Sequence, residues 1–192
     1  MDFQNRFVVS GAPAAVAENF ANVPLMAGFL PGASVDEPLP DGSYPATLLA
    51  SFGPKKLAFK GTLTNEVDRQ ALSGVLKGQA SADVRGARMA VTMHYRLSAV
   101  DDTTATVPMT EVHIDSHAQL SGVLAEFAKA GGVIVAEALI AEFARRFSAH
   151  SQAAAAGERY VAPEGGATLS MTTVLLAMLR RFRGWMRGSA PS

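Results

Sequence analysis

Residues 89–97 read MAVTMHYRL, with Met89, Val91, Met93, Tyr95 and Leu97 alternating with Thr92, His94 and Arg96. A period of two puts one set of side chains on a buried sheet face and the other in water. Upstream, Leu57, Phe59, Gly61 and Leu63 alternate in the same way with Lys56, Ala58 and Lys60. The pattern persists from residue 34 to about residue 118. It is punctuated by turn signals at Pro40-Asp41-Gly42, Gly53-Pro54, Asp68-Arg69, Val84-Arg85-Gly86 and Asp101-Asp102. Together these predict a run of antiparallel strands with one wet and one buried face.

Before that run, residues 3–10 alternate Phe3, Asn5, Phe7 and Val9 against Gln4, Arg6 and Val8, a first strand that ends at Gly11. Pro13, whose missing N–H costs nothing in a first turn, opens a short helix through Asn22. A second short apolar segment, 23–30, stops at Pro31-Gly32. After the strands, from about residue 120 to residue 150, Leu124, Phe127, Val135, Leu139, Phe143 and Phe147 form an apolar helical stripe. Gly131-Gly132 interrupts it, as a kink or a close approach to the sheet would require.

The chain has 192 residues, 48% of them hydrophobic, which suits one domain with a sizeable core and an appendage. We expect the domain to occupy 1–150. Residues 151–167, Ala-rich and then bearing Gly, Pro and Glu, read as a flexible linker. Residues 168–187 read as a basic amphipathic helix and 188–192 as a disordered end. Set at 100° per residue, Met171, Val174, Leu175, Met178, Leu179, Phe182, Trp185 and Met186 share one face, flanked by Arg180, Arg181, Arg183 and Arg187. The apolar run 169–179 is about half of the roughly 20 residues that a bilayer crossing needs, so the segment is expected to lie in a membrane interface. Each Arg at an anionic leaflet adds about 1 kcal/mol and each buried large apolar side chain about 1.5–3 kcal/mol, less the ordering entropy. The expected result is a reversible anchor; the same pattern also suits a partner groove.

Net charge is zero, but residues 165–192 hold four Arg and no acid, which leaves 13 basic against 17 acidic residues in the body. An acidic body makes nucleic acid an unsuitable partner, since phosphate neutralisation needs clustered cations. With no cysteine, thiol catalysis, disulfides and thiolate-held metals are excluded. The N-terminus shows no basic and apolar leader pattern, so the expected location is the cytoplasm, peripheral on the inner face of the cytoplasmic membrane.

Strand, two short helices, six strands and one long C-terminal helix is the order of an α+β helix-grip (START-like) fold, a curved antiparallel sheet wrapped around that helix. At Leu30-Pro31-Gly32, at Gly53-Pro54 with Phe59-Lys60-Gly61 downstream, and at the helix end from Leu139 to Phe147, residues 1–150 resemble the CoxG family of carbon monoxide dehydrogenase accessory proteins, within the START-like (SRPBCC) superfamily. The resemblance implies a non-catalytic accessory protein. Its partner would be a carbon monoxide dehydrogenase-type molybdenum hydroxylase, which it recruits to the membrane. A soluble enzyme that releases electrons there needs an acceptor, so the expected ligand is an isoprenoid quinone, menaquinone or ubiquinone. A START-like cyclase or hydrolase acting on a small hydrophobic substrate, and a pure membrane tether without ligand, are the alternatives.

A sheet that grips a helix can leave a cavity between them. The residues expected to line it, or to form its lip, are Met26, Phe29, Leu30, Phe52, Leu57, Phe59, Leu63, Leu76, Met89, Val91, Met93, Tyr95, Leu124, Phe127 and Val135. Met109 joins Met26, Met89 and Met93 as adaptable lining. The surface helix would bind membrane through Met171, Leu175, Met178, Leu179, Phe182, Trp185 and Met186 with the four Arg. His113, Asp115 and His117 share one strand face, about 7 Å apart in succession, but opposite Val112 and Ile114, so they are expected in solvent rather than on a metal. Glu111 and Glu126 qualify as acid or base only if buried. No nucleophile triad, phosphate loop or dinucleotide fingerprint is present.

Overall fold

The structure, a computed structural model, describes residues 1–52, 55–84, 86–101, 104–127 and 133–160; at residues 51, 52, 55, 56, 127 and 133–135 it describes the backbone alone. The elements follow in the expected order. They are β1 (Asp2–Ser10), α1 (Pro13–Ala21), α2 (Val23–Phe29), β2 (Ala33–Val35), β3 (Tyr44–Phe52), β4 (Lys55–Asp68), β5 (Ser73–Ala82), β6 (Arg88–Val100), β7 (Met109–Ser121), α3 (Val123–Phe127) and α4 (Val133–Ala155).

All strands are antiparallel in one sheet ordered β1-β7-β6-β5-β4-β3-β2. Only the first step is not a neighbour step. Helices α1 and α2 carry the chain from the β1 edge to the β2 edge, and the meander then returns to pair β7 with β1. That crossing lays two short helices over the concave face, beside α4. The curled sheet closing on a long C-terminal helix is the helix-grip arrangement.

Local chemistry explains the boundaries. Pro13 occupies the first turn of α1, and the Asn22 side chain caps α2 by accepting from the Leu25 N–H at 3.1 Å. Gly32, at φ +78°, takes the chain from α2 to the sheet edge. Its carbonyl accepts from the Leu49 N–H at 2.8 Å, and a Cβ there would overlap the Leu49 carbonyl. This close approach is the physical content of the Leu30-Pro31-Gly32 step. Asp68 Oδ1 accepts from the Gln70 and Ala71 N–H groups to make the β4–β5 turn.

Two boundaries differ from the sequence reading. β7 continues to Ser121, because Ala118 and Leu120 pair with Val91 and Met89 instead of starting a helix. It stops at Gly122, at φ +61°, whose missing side chain lets the strand end press on the Gly86 carbonyl. At the other end, α4 runs to Ala155, into the segment expected to be linker. Ser151 is buried there, and Tyr160 packs its ring on those of His150 and Phe29. Residues 161–192, including the expected surface helix 168–187, lie outside the described residues. Among the described residues, no helix is long and apolar enough to cross a membrane.

The core divides into two clusters. The larger joins Val9, Val16, Phe20, Phe29, Tyr95, Leu97, Val112, Ile114 and Phe147. The smaller gathers Phe59, Ala87 and Leu124 with Leu48, Leu57, Met89 and Leu120 against them. Phe147, fully buried, holds the first together: Phe20 lies 5.5 Å away edge-on, Phe29 5.5 Å away tilted, and Phe143 stacks at 6.1 Å.

On the same helix, Arg145 and the buried Arg146 both donate to Glu142, at 2.6–2.8 Å. The two guanidiniums, Arg145 foremost, hold the Glu142 carboxyl down from 4.5 to about 2. A depressed carboxylate contributes stability that is complete above its unfolded value and is lost as pH falls through its folded value. Glu142→Gln is therefore expected to lower stability at neutral pH and to flatten its fall between about pH 5 and about pH 2. Urea denaturation across that range checks this; parallel curves for the two proteins would refute it.

Candidate functional site

Between the two core clusters the concave face stays open, and a cavity of about 250 Å³ lies there. Strand register builds its floor. Phe59, Gly61, Leu63 and Asn65 face inward from β4, Leu76, Gly78 and Ala80 from β5, and Met89, Val91, Met93 and Tyr95 from β6. The pairings Leu63↔Gly78↔Val91 and Gly61↔Ala80↔Met89 set small residues on the middle strand of the three. The roof comes from Phe20 at the end of α1, Val23 and Met26 of α2, Leu30 just after it, and Ile140 and Phe143 of α4.

Of the residues expected at the cavity, Met26, Leu30, Phe59, Leu63, Leu76, Met89, Val91, Met93 and Tyr95 lie on this wall. Four expected residues are elsewhere. Phe29 is core, 3% exposed and packed on Phe147 and His150, because successive residues of α2 point to different neighbours and Leu30 takes the lip position. Leu57 and Leu124 fill the smaller cluster beyond Phe59. Met109, the first residue of β7, does not reach the wall. The side chains of Phe52, Phe127 and Val135 lie outside the described residues.

Residues missed by sequence reasoning share a signal. Gly61, Gly78, Ala80 and Asn65 all stand at inward positions where a large apolar side chain would complete a packed core. A small or polar residue at such a position leaves space. At Gly61 a Cβ would overlap the Gln79 carbonyl, so close backbone approach demands glycine. At Gly78 a Cβ would meet nothing nearer than Leu63 Cβ at 3.7 Å, so the glycine there is a matter of space, not of backbone.

One end of the cavity is polar. Asn65 Nδ2 donates to the Phe20 carbonyl at 2.8 Å, and the Phe20 ring lies 4.6 Å from that of Tyr95. Asn65 Oδ1 and the Tyr95 hydroxyl are buried, and no group among the described residues pairs with either. Burial pushes the Tyr95 phenol up from its ordinary value of 10.0, and nearby Asn65 only partly offsets that, without a hydrogen bond of acceptable geometry between them. The phenol is therefore un-ionised at neutral pH. Gly74, paired with Tyr95, has no Cβ to collide with its hydroxyl.

Among the described residues, no Asp, Glu, His, Lys or Arg lines the cavity, and Tyr95 is its sole titratable group. Glu111 faces outward, 3.7 Å from Arg6, and Glu126 is exposed. His113, Asp115 and His117 also point away from the cavity. His113 lies 3.4 Å from Asp115, and His117 lies 2.7 Å from Asp2. No group of three potential metal ligands occurs among the described residues.

The fold is shared with solved structures of low identity. A conserved protein from Geobacillus kaustophilus, 14% identical, aligns with a TM-score of 0.61 over 74% of this chain and 90% of its own. XoxI from Bacillus cereus, 9% identical, aligns at 0.52 over 79% and 95%. The di-domain ARO/CYC BexL from the BE-7585A biosynthetic pathway, 14% identical, aligns at 0.50 over 78% of this chain and 47% of BexL. No model of a known family matches the chain, and no curated protein matches it. The likeness establishes the START-like helix-grip fold.

Proposed function

We propose that this protein is a non-catalytic carrier of an apolar small molecule, working at the cytoplasmic face of the membrane as an accessory to a carbon monoxide dehydrogenase-type molybdenum hydroxylase, with a respiratory quinone as its cargo. The observation that carries the reading is the apolar cavity left open between two otherwise packed clusters. A folded domain of this size normally fills such a space, since each missing large side chain forfeits about 2–5 kcal/mol. Its volume lies just below the roughly 300–1,000 Å³ usual for small-molecule sites, so it suits a ring and a short stretch of chain, with a longer prenyl tail leaving past Leu30. A cyclase or hydrolase would want a pair of acid and base groups on the wall; Tyr95 alone, held un-ionised, favours a carrier. The dehydrogenase partner rests on the CoxG-like residues, and the membrane location on the segregation of Trp185 and Phe182 from the four Arg in 168–187.

The test separates body from tail. Intact protein is expected to sediment with anionic vesicles, less so as salt rises, and to extract menaquinone from them. A form lacking 165–192 is expected to stay soluble and bind a short-chain quinone analogue, but not to sediment or extract. Equal sedimentation with and without the tail would end the anchoring claim. Failure of both quinones to bind delipidated protein would end the carrier claim.

A further inference from the structure

We propose that the end of the sheet where the β5–β6 turn meets the start of α3 is a docking surface for an anionic lipid bilayer, a second membrane contact made by the folded body itself. The proposal rests on the membrane location proposed above and names the surface that the body presents there.

Apolar exposure is concentrated at this end. Among the described residues the exposed large hydrophobic side chains are Val8, Leu39, Leu49, Val84 and Val123. Val84 and Val123, 38% and 47% exposed, flank the point where the β5–β6 turn touches the end of β7. There Ser121 Oγ donates to the Gly86 carbonyl at 3.3 Å, and a Cβ on Gly122 would overlap that carbonyl. Leu49 stands on β3 towards the same end, paired with Ala58, and its N–H donates to the Gly32 carbonyl, so the surface adjoins the lip at Leu30. Val8 and Leu39 lie towards the opposite end, Val8 beside Glu111 near the start of β7 and Leu39 in the connection from β2 to β3.

Charge singles out the partner. Strand register sets Lys60, Ser81, Arg88 and Ser121 in one row across β4 to β7, on the face turned away from the cavity. With Thr62 and Gln79 they line a shallow groove. Lys60 and Arg88 are exposed, and neither makes an ion pair among the described residues. Two strand spacings set their backbones about 10 Å apart, so each can meet a headgroup phosphate of its own. In sequence, 55–60, 81–88 and 121–127 carry five basic residues, Lys55, Lys56, Lys60, Arg85 and Arg88, against two acids, Asp83 and Glu126, on a body that is acidic as a whole. Apolar tips beside unpaired cations suit a bilayer surface, where the tips enter the acyl boundary and the cations meet phosphate.

The experiment uses the absence of cysteine, which lets one introduced thiol carry a dye. Val84→Cys and, at the opposite end, Leu39→Cys are each labelled with nitrobenzoxadiazole in the full chain. They are mixed with vesicles of phosphatidylcholine and phosphatidylglycerol in equal parts. Emission from the label at 84 is expected to rise severalfold and to be quenched by spin-labelled acyl chains, while the label at 39 stays in water. A basic residue at an anionic surface is worth about fivefold in affinity, so Lys60→Gln with Arg88→Gln is expected to raise the lipid needed for half the response at 84 about twentyfold. Lys77→Gln, whose cation is held by Glu66 at 3.0 Å, is expected to change nothing. A silent label at 84 on protein that sediments with the vesicles, or equal responses at 84 and 39, overturns the docking surface and leaves anchoring by the tail standing. A response unchanged by the double substitution overturns it as well, since the cations choose the partner. Protein that does not sediment at all overturns both.

Discussion

Gly78→Phe is expected to abolish binding of quinone analogues and other apolar probes while leaving the protein folded. Gly78 sits at the centre of β5, between Leu63 and Val91 on the neighbouring strands, and faces the cavity. A Cβ there makes ordinary contacts at 3.7 and 3.9 Å, so the ring is free to enter the space a ligand would use. The backbone tolerates the change, since Phe suits a strand better than Gly does. Any crowding costs about 1–3 kcal/mol, within the margin of a stable domain. Gly61, two positions from Leu63 on β4, offers no such probe, because its Cβ would strike the Gln79 backbone and break the sheet. Fluorescent-probe displacement, with circular dichroism as the control for folding, checks the result. Undiminished binding in a folded Gly78→Phe protein would mean that ligands bind elsewhere.

The largest loss of stability is expected from Phe147→Ala, about 3–5 kcal/mol. Phe147 is fully buried, and its ring neighbours come from three separate helices, Phe20 of α1, Phe29 of α2 and Phe143 of α4 itself. Removing it opens a void that those rings cannot close together, since each is anchored on a different backbone. For a chain of this size the loss corresponds to a fall in Tm of about 10 °C. Thermal unfolding measures it. Phe29→Ala serves as the comparison, since it removes one of the rings packed on Phe147 and leaves Phe147 in place. A fall in Tm of only a degree or two for Phe147→Ala would mean that the cluster is loosely packed and that α4 does not clamp α1 and α2 over the cavity.

The two substitutions bear on different links of the same chain of causes. Gly78 sets how much space the sheet leaves, and Phe147 sets whether the helices stay over that space. Tyr95 touches both, because it packs on Phe20 in the larger cluster and also lines the cavity. Ligand uptake should accordingly be sensitive to the packing of α1 and α2, which with α4 roof the cavity.

Element order and strand faces were legible in the sequence because both are local. A period of two over residues 89–97 decides which side chains share a face, and Asp-Gly, Gly-Pro and Pro signals decide where the chain turns, whatever surrounds them. The outward placement of His113, Asp115 and His117 followed from the same alternation. What alternation cannot supply is the occupancy of the far side of a face. Phe59 and Leu57 have the same parity on β4 and both join the Leu124 cluster, yet only Phe59 also meets the cavity. Only the position of helices packed from elsewhere in the chain separates them. The end of β7 was misplaced for a related reason: Leu120 satisfies a helix pattern as well as a strand pattern, and its pairing with Met89, far away in sequence, chose the strand. The polar end of the cavity depends on a contact between Asn65 and Phe20, 45 residues apart, which no local pattern encodes. Sequence by itself determined the faces of this protein; tertiary packing decided which of them were filled, because a cavity is a property of two surfaces and each strand specifies only one.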